Sequence, residues 1–459
     1  MDADTIAAIA TPPGAGGIGI VKISGPRAIQ VALGILSPAT GPSSLKSHHL
    51  HYGYVIDPET EKTVDEVLFA VMKAPYTYTR EDVVEIQAHG SRCGLHTILE
   101  LVLKQGTRLA EPGEFTKRAF INGRIDLTQA EAVAEVVSAQ TKEGLDLAAK
   151  QLKGRLYEAI ESTRKPIETL LVEVEAAIDF PEDVEDIIRP EPFAQRMEHE
   201  VIVPLEELLA HYDEGHIYRE GIAAIIVGRP NVGKSSLMNR FLQKERSIVT
   251  TIPGTTRDFI EETVNIKGVP LRLIDTAGLH DTDDALETIG IRFTRQRLDE
   301  ADIVLFMVDC SMPITEEDTK IYDLTRDRKA ILVVNKADLA PHRPLEEIAT
   351  QFHGLPWVEI SALHNKGIEK LKTTVFRVIT DQSGPAELPG IVTNVRHKVA
   401  IEKAVAASKP AAQGFRTGRH PELVAIDLKE ALDRLGEIIG VTTTEDIIDQ
   451  IFSRFCIGK

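Results

Sequence analysis

The chain has 459 residues, room for about three domains, with 43% hydrophobic and 27% charged residues, and no apolar run reaches the roughly 18–20 residues of a membrane span. Its formal net charge of −18 disfavours broad nonspecific binding to nucleic-acid phosphates, although a local basic patch or a partner protein leaves an RNA substrate open. Three widely spaced cysteines (Cys93, Cys310 and Cys456) make a disulfide framework unexpected, and the acidic start Met1-Asp2-Ala3-Asp4 lacks the pattern of a secretory signal, so a cytoplasmic location is expected.

Residues 1–118 carry short apolar and β-branched runs at 5–10, 18–23, 66–72 and 83–86, broken by Gly and Pro, with a helical stretch at 95–104. This predicts an α+β domain. Gly14-Ala15-Gly16-Gly17-Ile18-Gly19 satisfies GxGxxG, but Pro12-Pro13 precede it and a strand pattern follows, so a dinucleotide site is rejected. Residues 119–215 turn helical. Thr128-Gln129-Ala130-Glu131 has the form of a capping box, in which side chain and backbone satisfy each other's donors at a helix start. Leu145, Ala148, Ala149, Leu152, Leu156 and Ile160 form one stripe at helical spacing. Ala425, Leu428, Leu432, Leu435 and Ile439 form a helix-packing seam, assigned to the same helical unit.

Between these helical regions, residues 216–380 alternate strand and helix, with apolar strands at 222–227, 271–274, 303–308, 331–334 and 357–360. Such alternation predicts a parallel sheet covered on both faces. The expected architecture is therefore an α/β domain at 216–380 inserted into a discontinuous helical domain of residues 119–215 and 381–459. Ser383-Gly384-Pro385 and Pro389-Gly390 mark the return linker.

The strand at 222–227 runs into Gly228-Arg229-Pro230-Asn231-Val232-Gly233-Lys234-Ser235, and a helix pattern begins at Ser236. This is GxxxxGK[ST] in the strand-to-helix context that a P-loop requires. Backbone N–H groups of such a loop turn toward phosphates, and the helix N-terminus favours the anion. Lys234 is placed to reach the β- and γ-phosphates, and the Ser235 hydroxyl to ligate Mg2+. Asp275-Thr276-Ala277-Gly278 ends a strand, where a carboxylate can hold the Mg2+ shell and the Gly278 amide can sense the γ-phosphate. Asn335-Lys336-Ala337-Asp338 ends another, and Asp338 can accept from guanine N1–H and its exocyclic amine, which adenine does not offer. Ser361-Ala362-Leu363 follows the last strand, with backbone groups available to guanine O6. Four motifs in this order, each at a strand end, indicate GTP rather than ATP.

The set resembles the translation-factor-related GTPases with two parts missing. Leu279 stands where a water-orienting Gln is usual, and no arginine finger is assignable. A finger contributes on the order of 10³–10⁵ in rate, about 4–7 kcal/mol of barrier, so another group must supply that term. Thr250-Thr251-Ile252-Pro253-Gly254-Thr255-Thr256-Arg257-Asp258, rich in hydroxyls and carbonyls, lies where a γ-phosphate-sensing switch belongs, with Thr256 completing the Mg2+ shell.

Along essentially its whole length the chain resembles the MnmE (TrmE) family of tRNA-modification GTPases. The resemblance rests on DTIAAIATPPGAGGIGIVKISG at 4–25, EPGEFTKRAFINGRIDLTQAEA at 111–132, GRPNVGKSSLMN at 228–239, TTIPGTTRD at 250–258, IDTAGL at 274–279 and FCIGK at 455–459. The first, second and last do not belong to GTPases generally. The resemblance implies a homodimer whose N-terminal domain is like tetrahydrofolate-binding domains. It also implies that, with the flavoprotein MnmG (GidA), which carries FAD, the protein installs a carboxymethylaminomethyl or aminomethyl group at the 5-position of the wobble uridine of certain tRNAs. The one-carbon unit comes from a tetrahydrofolate derivative, in its methylene or 5-formyl form. A K+ ion takes the place of the arginine finger, with ligands matching Asn231, Thr250, Ile252 and Thr255, and the water-orienting glutamate matches Glu287. Folate contacts match Lys22, Glu85, Arg124 and Lys459; Lys22 stands where Arg is common, which keeps charge but not bidentate geometry.

Cys456, with Arg454 and Lys459 close by in the sequence, reads equally as a nucleophile or as a structural cysteine near an ordered C-terminus. Two rival functions remain beside the enzyme: a GTP-switched assembly factor, which leaves the folate-like domain and FCIGK unexplained, and a folate-dependent transferase merely regulated by GTP.

Overall fold

The computed structural model describes residues 4–39, 41, 45–245, 262–274, 298–352, 354–380 and 392–459. The N-terminal sheet contains β1 (Ile6–Ile9), β2 (Gly16–Ser24), β3 (Leu36–Pro38), β4 (His49–Ile56), β5 (Thr63–Met72), β6 (Val83–Gly90) and β7 (Arg108–Leu109). Their spatial order is β3-β4-β5-β6-β2-β1-β7, antiparallel throughout except for the parallel β1–β7 pair. Alternation with period two sends Val67, Phe69 and Val71 of β5 into a core shared with the helices Ala28–Leu33 and Arg92–Lys104. The α+β expectation holds. β3 and β4 are additions to the sequence reading: Leu50, Tyr52 and Tyr54 of β4 are exposed, so apolar side chains on both faces blur its alternation.

The helical region packs Arg155–Asp179, Val395–Thr417 and Pro421–Ile439 around one core, in which Leu156 and Ile160 share a cluster with Ala425, Leu428, Leu435 and Ile439. Two local expectations are corrected. The 145–160 stripe is not one helix: Lys142–Leu152 and Arg155–Asp179 are separated by a turn in which Gly154 takes φ +85°, and Leu145 and Leu152 end up exposed. The helix Leu127–Ser138 is capped two residues earlier than read, because Asp126 accepts from the Thr128 and Gln129 amides while Gln129 accepts from the Asp126 amide. Glu131 is thereby released for the contacts described below.

The second sheet has the order β13-β12-β11-β8-β10-β9, from β8 (Ile222–Val227), β9 (Glu262–Ile266), β10 (Val269–Ile274), β11 (Ile303–Asp309), β12 (Ala330–Asn335) and β13 (Trp357–Glu359). The five strands expected from the sequence pair in parallel, and β9, which the sequence reading lacks, adds an antiparallel edge on β10. Both faces are covered: Ile303, Leu305 and Met307 of β11 face one core, and Val304, Phe306 and Val308 the other. This two-sided burial explains the unbroken apolar runs in the sequence. Chain direction brings the C-terminal ends of β8, β11 and β12 to one edge, the usual ligand edge of such sheets. No helix among the described residues is long and apolar enough to cross a membrane.

Candidate functional site

β8 ends at Val227, and the helix Lys234–Glu245 starts seven residues later, as the motif requires. Gly233 holds φ +105° and leaves no room for a side chain, since a Cβ there would lie 2.2 Å from Asn335 Nδ2. The Lys234 ammonium donates to the carbonyls of Gly228 at 2.7 Å and Arg229 at 2.8 Å, folding the lysine back across the loop. Burial pushes its pKa down, and Glu317 opposes the shift. Ser235 and Ser236 open the helix with exposed side chains, so the Ser235 hydroxyl is free to meet a phosphate-bound cation.

The segment of residues 335–338, expected from its sequence to meet a guanine base, starts from Asn335 at the end of β12. Its Nδ2 donates to Val232 O at 2.8 Å, and its Oδ1 accepts from Ala362 N at 3.0 Å. One buried amide thus joins the phosphate loop to both base-side loops. Lys336 takes φ +64° and sets its ammonium 2.6 Å from Asp309 Oδ2. Asp309 stays below the usual carboxylate range: burial raises it, but Lys336 and Ser311 lower it further. The Ser361 hydroxyl, more than the nearby His364 and Lys366, holds the Asp338 carboxyl below its ordinary pKa. Leu363 is exposed at the rim, while Arg240 Nε donates to Ala362 O at 2.8 Å and braces that loop. Asp309 and Arg240 were not read from the sequence. The signal for Asp309 was a carboxylate closing an apolar strand, and the fold makes it the register partner of Asn335.

Thr250, Thr251, Ile252, Pro253, Gly254, Thr255, Thr256, Asp275, Thr276, Ala277, Gly278 and Glu287 lie outside the described residues, as does the 383–390 linker. Asn231 lies in the phosphate loop with φ +64°.

A second cluster forms in the N-terminal sheet. Lys22 of β2 and Glu85 of β6 are register partners, with Nζ 4.0 Å from Oε1. The Lys22 ammonium lies 4.7 Å from the Tyr78 ring centre and 5.0 Å from that of Phe115, and the Arg124 guanidinium lies 4.8 Å from Tyr78. The C-terminal tail joins them: Lys459 O accepts from Phe115 N at 3.2 Å, Cys456 O accepts from Gly113 N at 3.3 Å, and Ile457 bridges to Pro112. Burial lowers the Lys22 pKa; Glu85 opposes this, while Lys459 and Arg124 add to it. All four folate-matched residues therefore converge, three cations and one carboxylate beside two aromatic rings. Cys456 is exposed. Among the described residues no group of three or more His, Cys, Asp or Glu is arranged to hold a metal.

Family models agree with this layout. Residues 5–124 match a model described as the GTP-binding protein TrmE N-terminus, and residues 127–456 match the MnmE helical domain. The chain is 47% identical over 463 residues to a tRNA modification GTPase MnmE of Carboxydothermus hydrogenoformans, covering 100% of both chains. It is 47% identical to the protein of that name from Thermoanaerobacter pseudethanolicus, covering 99% of each. Its counterpart in Desulfotalea psychrophila is 45% identical, covering 100% of this chain and 99% of the other.

Proposed function

The chain belongs to the MnmE family of tRNA-modification GTPases, and we propose that it hydrolyses GTP to drive modification of the wobble uridine of certain tRNAs. The reaction adds a carboxymethylaminomethyl or aminomethyl group at the 5-position, in company with MnmG and with a tetrahydrofolate-derived one-carbon unit. The observation that supports it most is the coexistence, in one chain, of a guanine-type nucleotide frame pinned by Asn335 and the convergent Lys22, Glu85, Arg124 and Lys459 cluster.

In this reading Asp338 accepts from the guanine edge, Lys234 swings from the Gly228 and Arg229 carbonyls to the phosphates, and the loop amides around Val232 and Gly233 cradle the β-phosphate. Ser235 and Thr256 hold Mg2+; Asn231, Thr250, Ile252 and Thr255 hold K+; Glu287 orients the water. The exposed Ser235 hydroxyl beside Lys234 fits the first of these roles. When bound, the two cations neutralise charge developing on the transferring phosphoryl oxygens. At the other site the Tyr78 and Phe115 rings suit a flat pterin, and Lys22, Arg124 and Lys459 suit the carboxylates of its tail. Two copies of the chain pair their nucleotide domains around the K+ ions.

Reconstitution tests this directly. The purified chain, MnmG, unmodified tRNA, GTP and methylene-tetrahydrofolate should yield the modified wobble nucleoside, detected by mass spectrometry of the digested tRNA. GTP turnover without any modification, together with a ribosome-assembly defect in a deletion strain, would favour the assembly-factor reading instead. Modification that survives Glu287→Ala would favour the folate transferase merely regulated by GTP.

A further inference from the structure

The inserted nucleotide domain is joined to the rest of the molecule by two chain crossings. The helix Tyr212–Glu220 leads in, reaching β8 after Gly221, and residues 392–394 lead out into the helix Val395–Thr417. Both crossings are fastened to one face of one helix, Leu127–Ser138, by Glu131 and Glu135, a single turn apart. Glu131 takes the outgoing chain: Asn394 Nδ2 donates at 3.3 Å, Arg396 Nε and Nη2 at 3.0 and 2.8 Å, and His397 Nε2 lies 2.7 Å away. Glu135 takes the incoming chain through Arg219, with Nε 3.0 Å from Oε1. The crossings also touch each other, His216 Nδ1 lying 3.2 Å from Thr393 O.

Toward its N-terminus the same helix packs on the C-terminal tail. Leu127 and Ala130 share a small apolar core with Phe452 and Phe455, and Phe455 precedes the Cys456–Lys459 stretch that docks on Gly113 and Phe115 beside Lys22. One helix thus carries both sets of contacts, Leu127 and Ala130 seating the tail and Glu131 and Glu135 holding the crossings, within two turns and a residue.

We propose that the Leu127–Ser138 helix is the mechanical coupling between the nucleotide site and the folate-like site, with Glu131 and Glu135 as positioning residues that bind both domain crossings to it. The coupling rests on the functional reading above, which supplies the two ligands. The two carboxylates divide the work. Glu131 is the fixed anchor: burial alone would raise its pKa, but His397 and Arg396 bring it down to about 2, so it stays charged. Glu135 is the adjustable one. Its 3.0 Å ion pair with Arg219 is not aligned as a hydrogen bond, and Oε1 has no hydrogen-bond partner among the described residues. Neither has Thr393 Oγ1, which lines the same cavity of about 30 Å³, room for one or two waters.

The groups around Glu135 are Arg219 and Glu220 on the incoming helix, with Tyr218 of that helix lining the same cavity, and Glu131 on its own helix, with Arg396 and His397 behind Glu131. The helix Lys142–Leu152 contributes only Gly144, Leu147 and Ala148 to the cavity, none charged. Burial dominates and pushes Glu135 up to about 7, Arg219 pulling it down and Glu131 and Glu220 pushing it further up. The grip on Arg219 therefore strengthens as pH rises through about 7 and weakens as it falls.

Site-to-site coupling is reciprocal and is read as a change in one ligand's affinity with the state of the other. The test measures binding of 5-formyl-tetrahydrofolate to the full chain loaded with GDP or with a non-hydrolysable GTP analogue, at pH 8 and pH 6. Parent protein should show a difference of about fivefold or more between nucleotide states at pH 8, at the lower end of typical coupling, shrinking toward none at pH 6. Glu135→Gln should show almost no difference at either pH while its nucleotide affinity matches the parent's, and Glu135→Asp should recover part of it. A parent affinity blind to nucleotide state, or a Glu135→Gln variant that keeps the parent's ratio and its pH dependence, overturns the coupling. Failure of the parent to bind the folate at all removes the functional reading, and the coupling with it.

Discussion

The side-chain amide of Asn335 joins the phosphate loop to the base-side loops, donating to Val232 O at 2.8 Å and accepting from Ala362 N at 3.0 Å. Its side chain sits so close to Gly233 that no Cβ fits between them. Nucleotide binding should therefore depend on Asn335 through the loops it joins. Asn335→Ala leaves buried donors and acceptors unpaired, at about 1–3 kcal/mol each. The expected result is a guanine nucleotide affinity lower by at least about tenfold, equal for GDP and IDP because both share the loop frame. Asp338→Asn, by contrast, should narrow the preference for GDP over IDP. Titration calorimetry with both nucleotides separates the two behaviours.

Lys22 is held below its ordinary pKa, chiefly by burial and also by the neighbouring cations Lys459 and Arg124. An anionic ligand favours the protonated form, so folate affinity should fall as pH rises toward and through that lowered pKa. The sign for stability is opposite. Between the lowered folded value and the unfolded value of 10.5 the unfolded chain binds more protons, so ligand-free stability should rise with pH there. Lys22→Met keeps the packing against Tyr78 and Phe115, abolishes both dependences and weakens folate binding by about ten- to a hundredfold. Fluorescence titration between pH 7 and pH 10 is the check.

Glu131 and Glu135 should respond to substitution in opposite directions. Glu131→Gln leaves Arg396 without its buried partner and should cost about 3–5 kcal/mol. Glu131 stabilises the fold above its unfolded pKa of 4.5, a contribution lost as pH falls toward 2. Glu135, raised from 4.5 to about 7, destabilises the fold increasingly as pH rises through that window. Glu135→Gln should match the parent near pH 4 and exceed it at pH 8 by at most about 3 kcal/mol. Urea denaturation at these pH values measures all three proteins.

The features visible in the sequence were those encoded by local runs. The six apolar residues of β8 followed by Gly228–Ser235 specify a strand and a phosphate loop without help from distant contacts. The ends of β11 and β12 were legible for the same reason, because strands buried on both faces read as unbroken apolar stretches. Other features depended on residues far apart in the chain. The pairing of Lys336 with Asp309 needs the register of two strands, and the joint grip of Glu131 on Asn394, Arg396 and His397 spans more than 260 residues. The break at Gly154 was hidden because the apolar spacing continues across it, and the cap at Asp126 because Thr128-Gln129-Ala130-Glu131 offered an equally good pattern two residues later. For the folate-like cluster, spacing gave nothing; family resemblance named its four residues, and the fold brings them together.

The most direct test of the account is GTP turnover by the purified chain alone, in KCl and in NaCl at equal ionic strength. Turnover should be at least about tenfold faster in KCl, some 1.4 kcal/mol off the barrier, with that advantage lost in Asn231→Ala. Equal rates in the two salts would contradict it, removing the ion site of Asn231, Thr250, Ile252 and Thr255 and requiring an activating group supplied by another protein.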